Sequence, residues 1–154
     1  MRGKPVTKRR ISPDPKFRRL DIAKLINKIM ERGKKTTAQK IVYGAFDYIS
    51  EKTKQDPVDV YDAAMRNVAP NLEVKGKRIG GANYQVPIVV MGDRKATLAH
   101  RWIIEGASSR KGTSMINKLA EELMAAAKGE GVAMKKREDV QKMAEANKAF
   151  AHFA

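Results

Sequence analysis

The chain has 154 residues, enough for one domain with a core of its own. It carries 32 Lys and Arg against 17 Asp and Glu, a formal net charge of +15, and no cysteine. Disulfide and thiol chemistry are therefore excluded, and a polyanionic partner is the natural compensation for so much like charge.

The first twenty residues, MRGKPVTKRRISPDPKFRRL, hold eight Lys or Arg and one Asp, and Pro5, Pro13 and Pro15 prevent a helix. Residues 1–19 are expected to form an extended basic arm that an anion orders. Helix 1 is predicted near Asp21–Arg32, because Ile22, Leu25, Ile26, Ile29 and Met30 recur at helical spacing. Gly33 is its expected C-cap. Thr36 or Thr37 is the expected cap of helix 2, whose stripe is Ala38, Ile41, Val42, Ala45, Phe46 and Ile49. Asp56-Pro57 reads as an N-cap followed by proline at the first helical position. Helix 3 then buries Tyr61, Ala64, Met65 and Val68 and stops before Pro70.

Leu72–Arg78 and Tyr84–Val90 are β-like runs, and Gly80, Gly81 and Asn83 supply the positive φ values of a turn. Pro87 lacks an N–H and belongs on an edge. Tyr84, Val86 and Ile88 share one face by period-two alternation and are expected to rest on the helices. Helix 4 is predicted near Asp93–Ser108, with Leu98, Ala99, Trp102 and Ile103 inward. Helix 5 is predicted near Ser114–Lys128 on the stripe Ile116, Leu119, Ala120, Leu123 and Ala127. Past the break at Gly129–Gly131, helix 6 offers only the narrow seam Val140, Met143, Ala144 and Phe150. The expected fold is mainly α: a single-domain bundle of about six helices over residues 20–154. A β-hairpin protrudes at about 72–90 between helices 3 and 4, and a peripheral C-terminal helix lies at about 132–148.

Catalytic motifs fail on inspection. ERGKKTT looks like the end of a phosphate-binding P-loop, but Lys28 stands where that motif needs glycine. In EGASSRKGTS, Gly112 is followed by Thr113 rather than lysine. Two histidines, His100 and His152, cannot build a His/Cys metal site, and no cofactor is expected. His100, in a basic helix, is expected to face solvent or RNA.

The basic residues instead cluster in loops and at helix starts: Lys8-Arg9-Arg10, Lys34-Lys35, Lys75-Lys77-Arg78, Arg94-Lys95 and Arg110-Lys111. Lys34-Lys35 and Arg110-Lys111 each precede a helix N-terminus, where free N–H groups and the positive dipole end suit phosphate oxygens. Arg94 and Arg101, seven residues apart, share one face of helix 4. Trp102 and Tyr84 read as packing residues rather than stacking platforms, and the eight methionines read as core filling. An anionic membrane is the weaker partner class. No apolar run nears the roughly 18 residues of a spanning helix, and no apolar stretch follows the N-terminal charges as in a secretory signal. The cytoplasm is the default location. Scattered basic contacts on a folded surface suit the shape and junctions of RNA.

Long blocks of the chain closely resemble the bacterial-type family of small-subunit ribosomal protein seven. They are RRISPDPKF, LINKIMERGKKTTAQKIVYGAF, VYDAAMRNVAPNLEVKGKRIGGANYQVP, RWIIEGASSRKGTSM and ANKAFAHF, in the family's order. The resemblance implies a helical bundle with a β-ribbon arm. It implies primary binding to the 3′ major domain of small-subunit ribosomal RNA, where the protein nucleates assembly of the head. It further implies a place near the exit-site transfer RNA and the messenger RNA path, with small-subunit proteins nine and eleven as neighbours. Some members also repress translation of their own messenger RNA. Carried onto this chain, the RNA contacts fall on Arg2, Lys4, Lys8, Arg9 and Arg10 of the arm and on Lys34 and Lys35. They continue on Lys75, Lys77 and Arg78 of the ribbon, on Arg94 and Arg101, and on Arg110 and Lys111. A DNA-binding architectural protein is the alternative, since basic helices with a β-arm also suit minor-groove benders. Their arms usually end in an apolar or proline wedge, where this one has Gly-Gly-Ala-Asn.

Overall fold

The computed structural model of the chain describes Gly3 and residues 10–153. Its elements follow the predicted order. They are α1 (Leu20–Ile29), α2 (Lys35–Thr53), α3 (Pro57–Val68), β1 (Leu72–Ile79), β2 (Ala82–Val89), α4 (Asp93–Ser109), α5 (Met115–Ala127) and α6 (Val132–Ala146). A 3-10 helix, Lys148–Phe153, follows α6. The predicted mainly helical single domain with one hairpin between the third and fourth helices is the observed architecture.

The helical stripes read from the sequence are the faces that meet. Ile22, Leu25, Ile26 and Ile29 of α1, Val42, Phe46 and Ile49 of α2, and Tyr61, Ala64 and Val68 of α3 lie in one core. Leu98, Ala99, Trp102 and Ile103 of α4 and Leu119, Ala120 and Leu123 of α5 complete it. The central helix is α5, which packs against α2, α3 and α4. Its approach to α2 depends on Gly44, where a Cβ would stand 3.0 Å from Cδ1 of Ile116. Ile116 itself is half-buried. Asp56 caps α3 as predicted, accepting from the Val58 N–H at 2.8 Å with Pro57 in the first turn. Ser114 flanks α5 and accepts from the Asn117 N–H.

Three local expectations are corrected. Helix α1 ends at Ile29, because Met30 turns to φ −60°, ψ 124°, so Gly33 lies in the following turn at φ +73° rather than at the cap. Thr36 and Thr37 lie inside α2. The Lys34 N–H donates to the Glu31 carbonyl and the Lys35 N–H to the Gly33 carbonyl, so backbone takes the place of a capping side chain. Asn83 is a strand residue paired with Arg78. Gly80 (φ +57°) and Gly81 (φ +89°) alone make the turn, a two-residue connection whose twist matches that of the strands.

His100 is the larger correction. It is 1% exposed, and its Nε2 lies 2.8 Å from the Tyr61 hydroxyl. The α4 stripe of Ala99, Trp102, Ile103 and Ala107 carries His100 inward with it, and Tyr61 satisfies its ring.

Within the segment read as an arm, residues 14–19 pack against the helices. Asp14, 2% exposed, accepts from the Lys16 and Phe17 N–H groups and from the Tyr43 hydroxyl. Phe17 packs on Tyr43 and Phe46, and Arg19 joins Asp21 to Asp62 of α3. At the other end of the chain, α6 packs on α4 and β1 and buries Ala133, Met134 and Ala144. Val140 is half-buried against the core, whereas Met143, expected in the seam, is 48% exposed.

Candidate nucleic-acid interface

The ribbon pairs Glu73 with Ile88, Lys75 with Val86, Lys77 with Tyr84 and Arg78 with Asn83. Residues directly opposite share a face, so Lys75 and Lys77 stand on the side of Val86 and Tyr84, while Arg78 points to the other side. The KGKR cluster is thereby split. Lys75 Nζ lies 3.1 Å from Glu73, and Lys77 Nζ donates to the Phe153 carbonyl at 2.6 Å. Arg78 is exposed and has no acidic partner among the described residues. Val86 is fully buried, as its face predicted, and Ile88 is half-buried. Tyr84 rests not on the bundle but on the C-terminal 3-10 helix, 5.1 Å from the Phe150 ring and 5.5 Å from that of Phe153.

At the ribbon's base, Glu73 is nearly buried and takes Arg94 of α4 as well as Lys75. Burial pushes its carboxyl up, but hydrogen bonds from Arg94 and Lys75 outweigh this and the net shift is downward. The carboxylate therefore stays charged and holds both cations. Lys95 donates to the Asn71 side chain, and Lys24 pairs with Asp93. The first turn of α4 is thus tied to the ribbon and to α1.

From there α4 runs for 17 residues, about 25 Å at the rise of an α-helix. Arg101 lies about two turns beyond Arg94, on the same side and exposed, with no acidic partner among the described residues. Arg110 and Lys111 follow the last turn. Here the end of α4 and the start of α5 come near the start of α2. A groove of about 320 Å³ is lined by Lys28, Ile29, Met30 and Glu31 at the α1 end, Lys34, Thr37, Ala38 and Ile41 of the α2 start, Ile104 and Ser108 of α4, and Met115 of α5. Lys34 lines this groove, and Lys111 lies in the loop between two of its lining residues, Ser108 and Met115. The first turn of α2 and the first residue of α5 both line this groove, while the next residue, Ile116, packs on Gly44 well inside α2. Lys34, Lys35 and Lys111 are exposed and have no acidic partner among the described residues. Arg110 is different: its guanidinium lies on Glu122 and Glu121.

Of the arm's candidate RNA contacts Arg10 is described, and it is exposed; Arg2, Lys4, Lys8 and Arg9 lie outside the described residues. Two polar residues that organise the structure were missed by sequence reading. Glu122, fully buried, sits on the otherwise apolar stripe of α5. Asn67 donates to the carbonyls of Ala126 and Ala127, both at 2.9 Å, and its own carbonyl accepts from Arg137 of α6. A polar residue at an apolar stripe position was the only available signal for Glu122; Asn67 left none.

Comparison with known proteins places this geometry. Residues 1–148 match the family model described as Ribosomal protein S7p/S5e. Small ribosomal subunit protein uS7 of Thermotoga petrophila is 57% identical over 153 residues, covering 99% of both chains. The protein of the same name from Azoarcus sp. (strain BH72) is 54% identical over 152 residues, covering 99% of this chain and 97% of that one. That from Pelotomaculum thermopropionicum is 56% identical over 148 residues.

Proposed function

The chain belongs to the ribosomal protein S7p/S5e family, a structural and non-enzymatic constituent of the small subunit of the cytoplasmic ribosome, and within that role we propose that it is a primary ribosomal-RNA-binding protein. Its target is the 3′ major domain, where it nucleates assembly of the head. Exit-site transfer RNA and the messenger RNA path lie near it, and small-subunit proteins nine and eleven are its neighbours. Repression of its own messenger RNA belongs to the same reading, as a second use of the same surface.

The observation that carries this reading is a set of exposed cations without an acidic partner among the described residues: Lys34 and Lys35 at the start of α2 and Lys111 in the loop before α5. Phosphate oxygens suit exposed cations beside helix N-termini. Arg101 extends the surface along α4 towards the ribbon, where Arg78 stands exposed with no acidic partner among the described residues. Arg2, Lys4, Lys8, Arg9 and Arg10 add contacts from the arm. Lys75, Lys77 and Arg94, each held by a partner within the chain, contribute field rather than direct phosphate ligation.

The test is filter binding of a Lys34→Ala/Lys35→Ala/Lys111→Ala variant to the RNA domain across a salt series, with footprinting of the parent chain. Each lost phosphate contact lowers the log–log slope by about 0.7–0.9. An unchanged slope, or equal competition by duplex DNA, overturns the proposal.

A further inference from the structure

Resting on that reading, we infer that Glu122 is a positioning residue for RNA binding: through Arg110 it holds the α4–α5 loop in the shape that presents Lys111, and Arg110 is a structural cation rather than a phosphate ligand. Arg110 is the residue for which sequence and geometry disagree most. In the sequence it is half of a basic pair beside a helix start. In the fold, its Nε and Nη2 donate to one oxygen of Glu122 at 3.1 and 2.8 Å, and its Nη1 donates to Glu121 at 3.3 Å. The whole fork is engaged by acids.

The carboxylate that receives it is completely buried. Its other oxygen accepts the Ala133 N–H at the start of α6, at 2.9 Å. Three segments therefore meet at one side chain: the end of α4, the middle of α5 and the first turn of α6. The space around it is cut to fit. A Cβ on Gly106 would stand 2.7 Å from Oε1 of Glu122, and one on Gly131 would stand 2.9 Å from the same atom. Glycine on both sides lets the carboxylate lie against the α4 and α6 backbones. A phosphate that took Arg110 would leave a buried charge without its counter-ion, which is strongly unfavourable. Lys111 immediately follows in the chain, exposed, on a loop whose geometry Arg110 sets.

Glu122→Gln separates the possibilities by sign. The substitution raises the net charge by one, so if Arg110 were a phosphate ligand, loosening it would tighten RNA binding. Glutamine puts an NH2 group, which cannot accept, in place of one carboxylate oxygen, so either Ala133 or Arg110 loses its acceptor. A positioning role therefore predicts weaker binding well below the melting temperature. The decisive measurement is a double-mutant cycle with Lys111→Ala. In the parent chain Lys111→Ala should lower the salt slope by about 0.7–0.9. In the Glu122→Gln background it should cost much less, because Lys111 is no longer presented. Arg110→Lys, which keeps the charge but not the fork, should reproduce that loss of coupling and serves if Glu122→Gln folds poorly. Tighter binding by Glu122→Gln, or additive effects in both cycles, overturns the inference. If Lys111→Ala has no effect even in the parent chain, the loop does not meet RNA, and the functional reading of this end falls with the inference.

Discussion

The Tyr61 hydroxyl and Nε2 of His100 lie 2.8 Å apart, both rings buried and nearly parallel, joining α3 to α4 across 39 residues of sequence. Burial lowers the His100 pKa from 6.5 to about 4; nearby Asp21 opposes the shift, and Lys28 and Lys24 reinforce it. The depressed value belongs to the folded state, so the unfolded chain takes up the proton first. Stability is therefore full above the unfolded value, falls as pH drops from about 6.5 to about 4, and is level below. The loss is on the order of 3 kcal/mol over that window. Urea unfolding should show the decline between pH 6.5 and 5, above the range of ordinary carboxylates. His100→Gln should flatten it, and an unflattened curve would remove His100 as the cause.

Gly106→Ala should destabilise, although alanine normally strengthens a helix interior by about 0.5–1 kcal/mol. The new methyl meets Oε1 of Glu122, which cannot move without leaving Ala133 or Arg110. Overpacking of this kind costs roughly 1–3 kcal/mol. Gly44→Ala should cost less, because it meets Cδ1, Cγ2 and Cγ1 of Ile116 at 3.0, 3.2 and 3.4 Å, contacts that a small shift of a half-buried side chain relieves. Denaturant midpoints rank the two, and a Gly106→Ala protein as stable as its parent contradicts the account.

Tyr84→Ala should free the C-terminal 3-10 helix and leave the bundle alone. Tyr84 meets Phe150 and Phe153, and no residue of that helix is buried. Amide exchange over residues 148–153 should accelerate with the melting temperature unchanged. If RNA affinity falls while those amides stay protected, Tyr84 is a stacking residue.

Arg78→Ala and Lys75→Ala should behave differently towards RNA despite being three residues apart. Arg78 is unengaged by acids among the described residues and should take about 0.7–0.9 from the salt slope. Lys75 is shared with Glu73, so its loss should change the slope little. Equal slopes for the two variants would mean that the register does not separate their roles.

Much of the bundle was legible because helical stripes, turn glycines and caps are local. Leu119, Ala120 and Leu123 fall on one face at helical spacing whatever lies beyond them, and they are buried. Asp56-Pro57 and Gly80-Gly81 each carry their conformation in their own chemistry. The end of α1 was misplaced because Gly33 is only permissive: the chain left the helix at Met30 and met Gly33 in the next turn.

By itself the sequence determined the helical faces, the ribbon, the excess of positive charge and the family. All of these depend on residues within a few positions of one another, on composition, or on long matching blocks. The tertiary structure alone decided which cations remain available. Lys75 and Arg94 are drawn to Glu73, and Arg110 to Glu122, whereas Lys34, Lys35 and Lys111 are exposed and have no acidic partner among the described residues. A cation's availability depends on whether an acid lies within a few ångströms, and those acids come from other elements of the fold. The same reason hid His100, whose burial follows from the helices around it and not from the basic residues beside it in the chain.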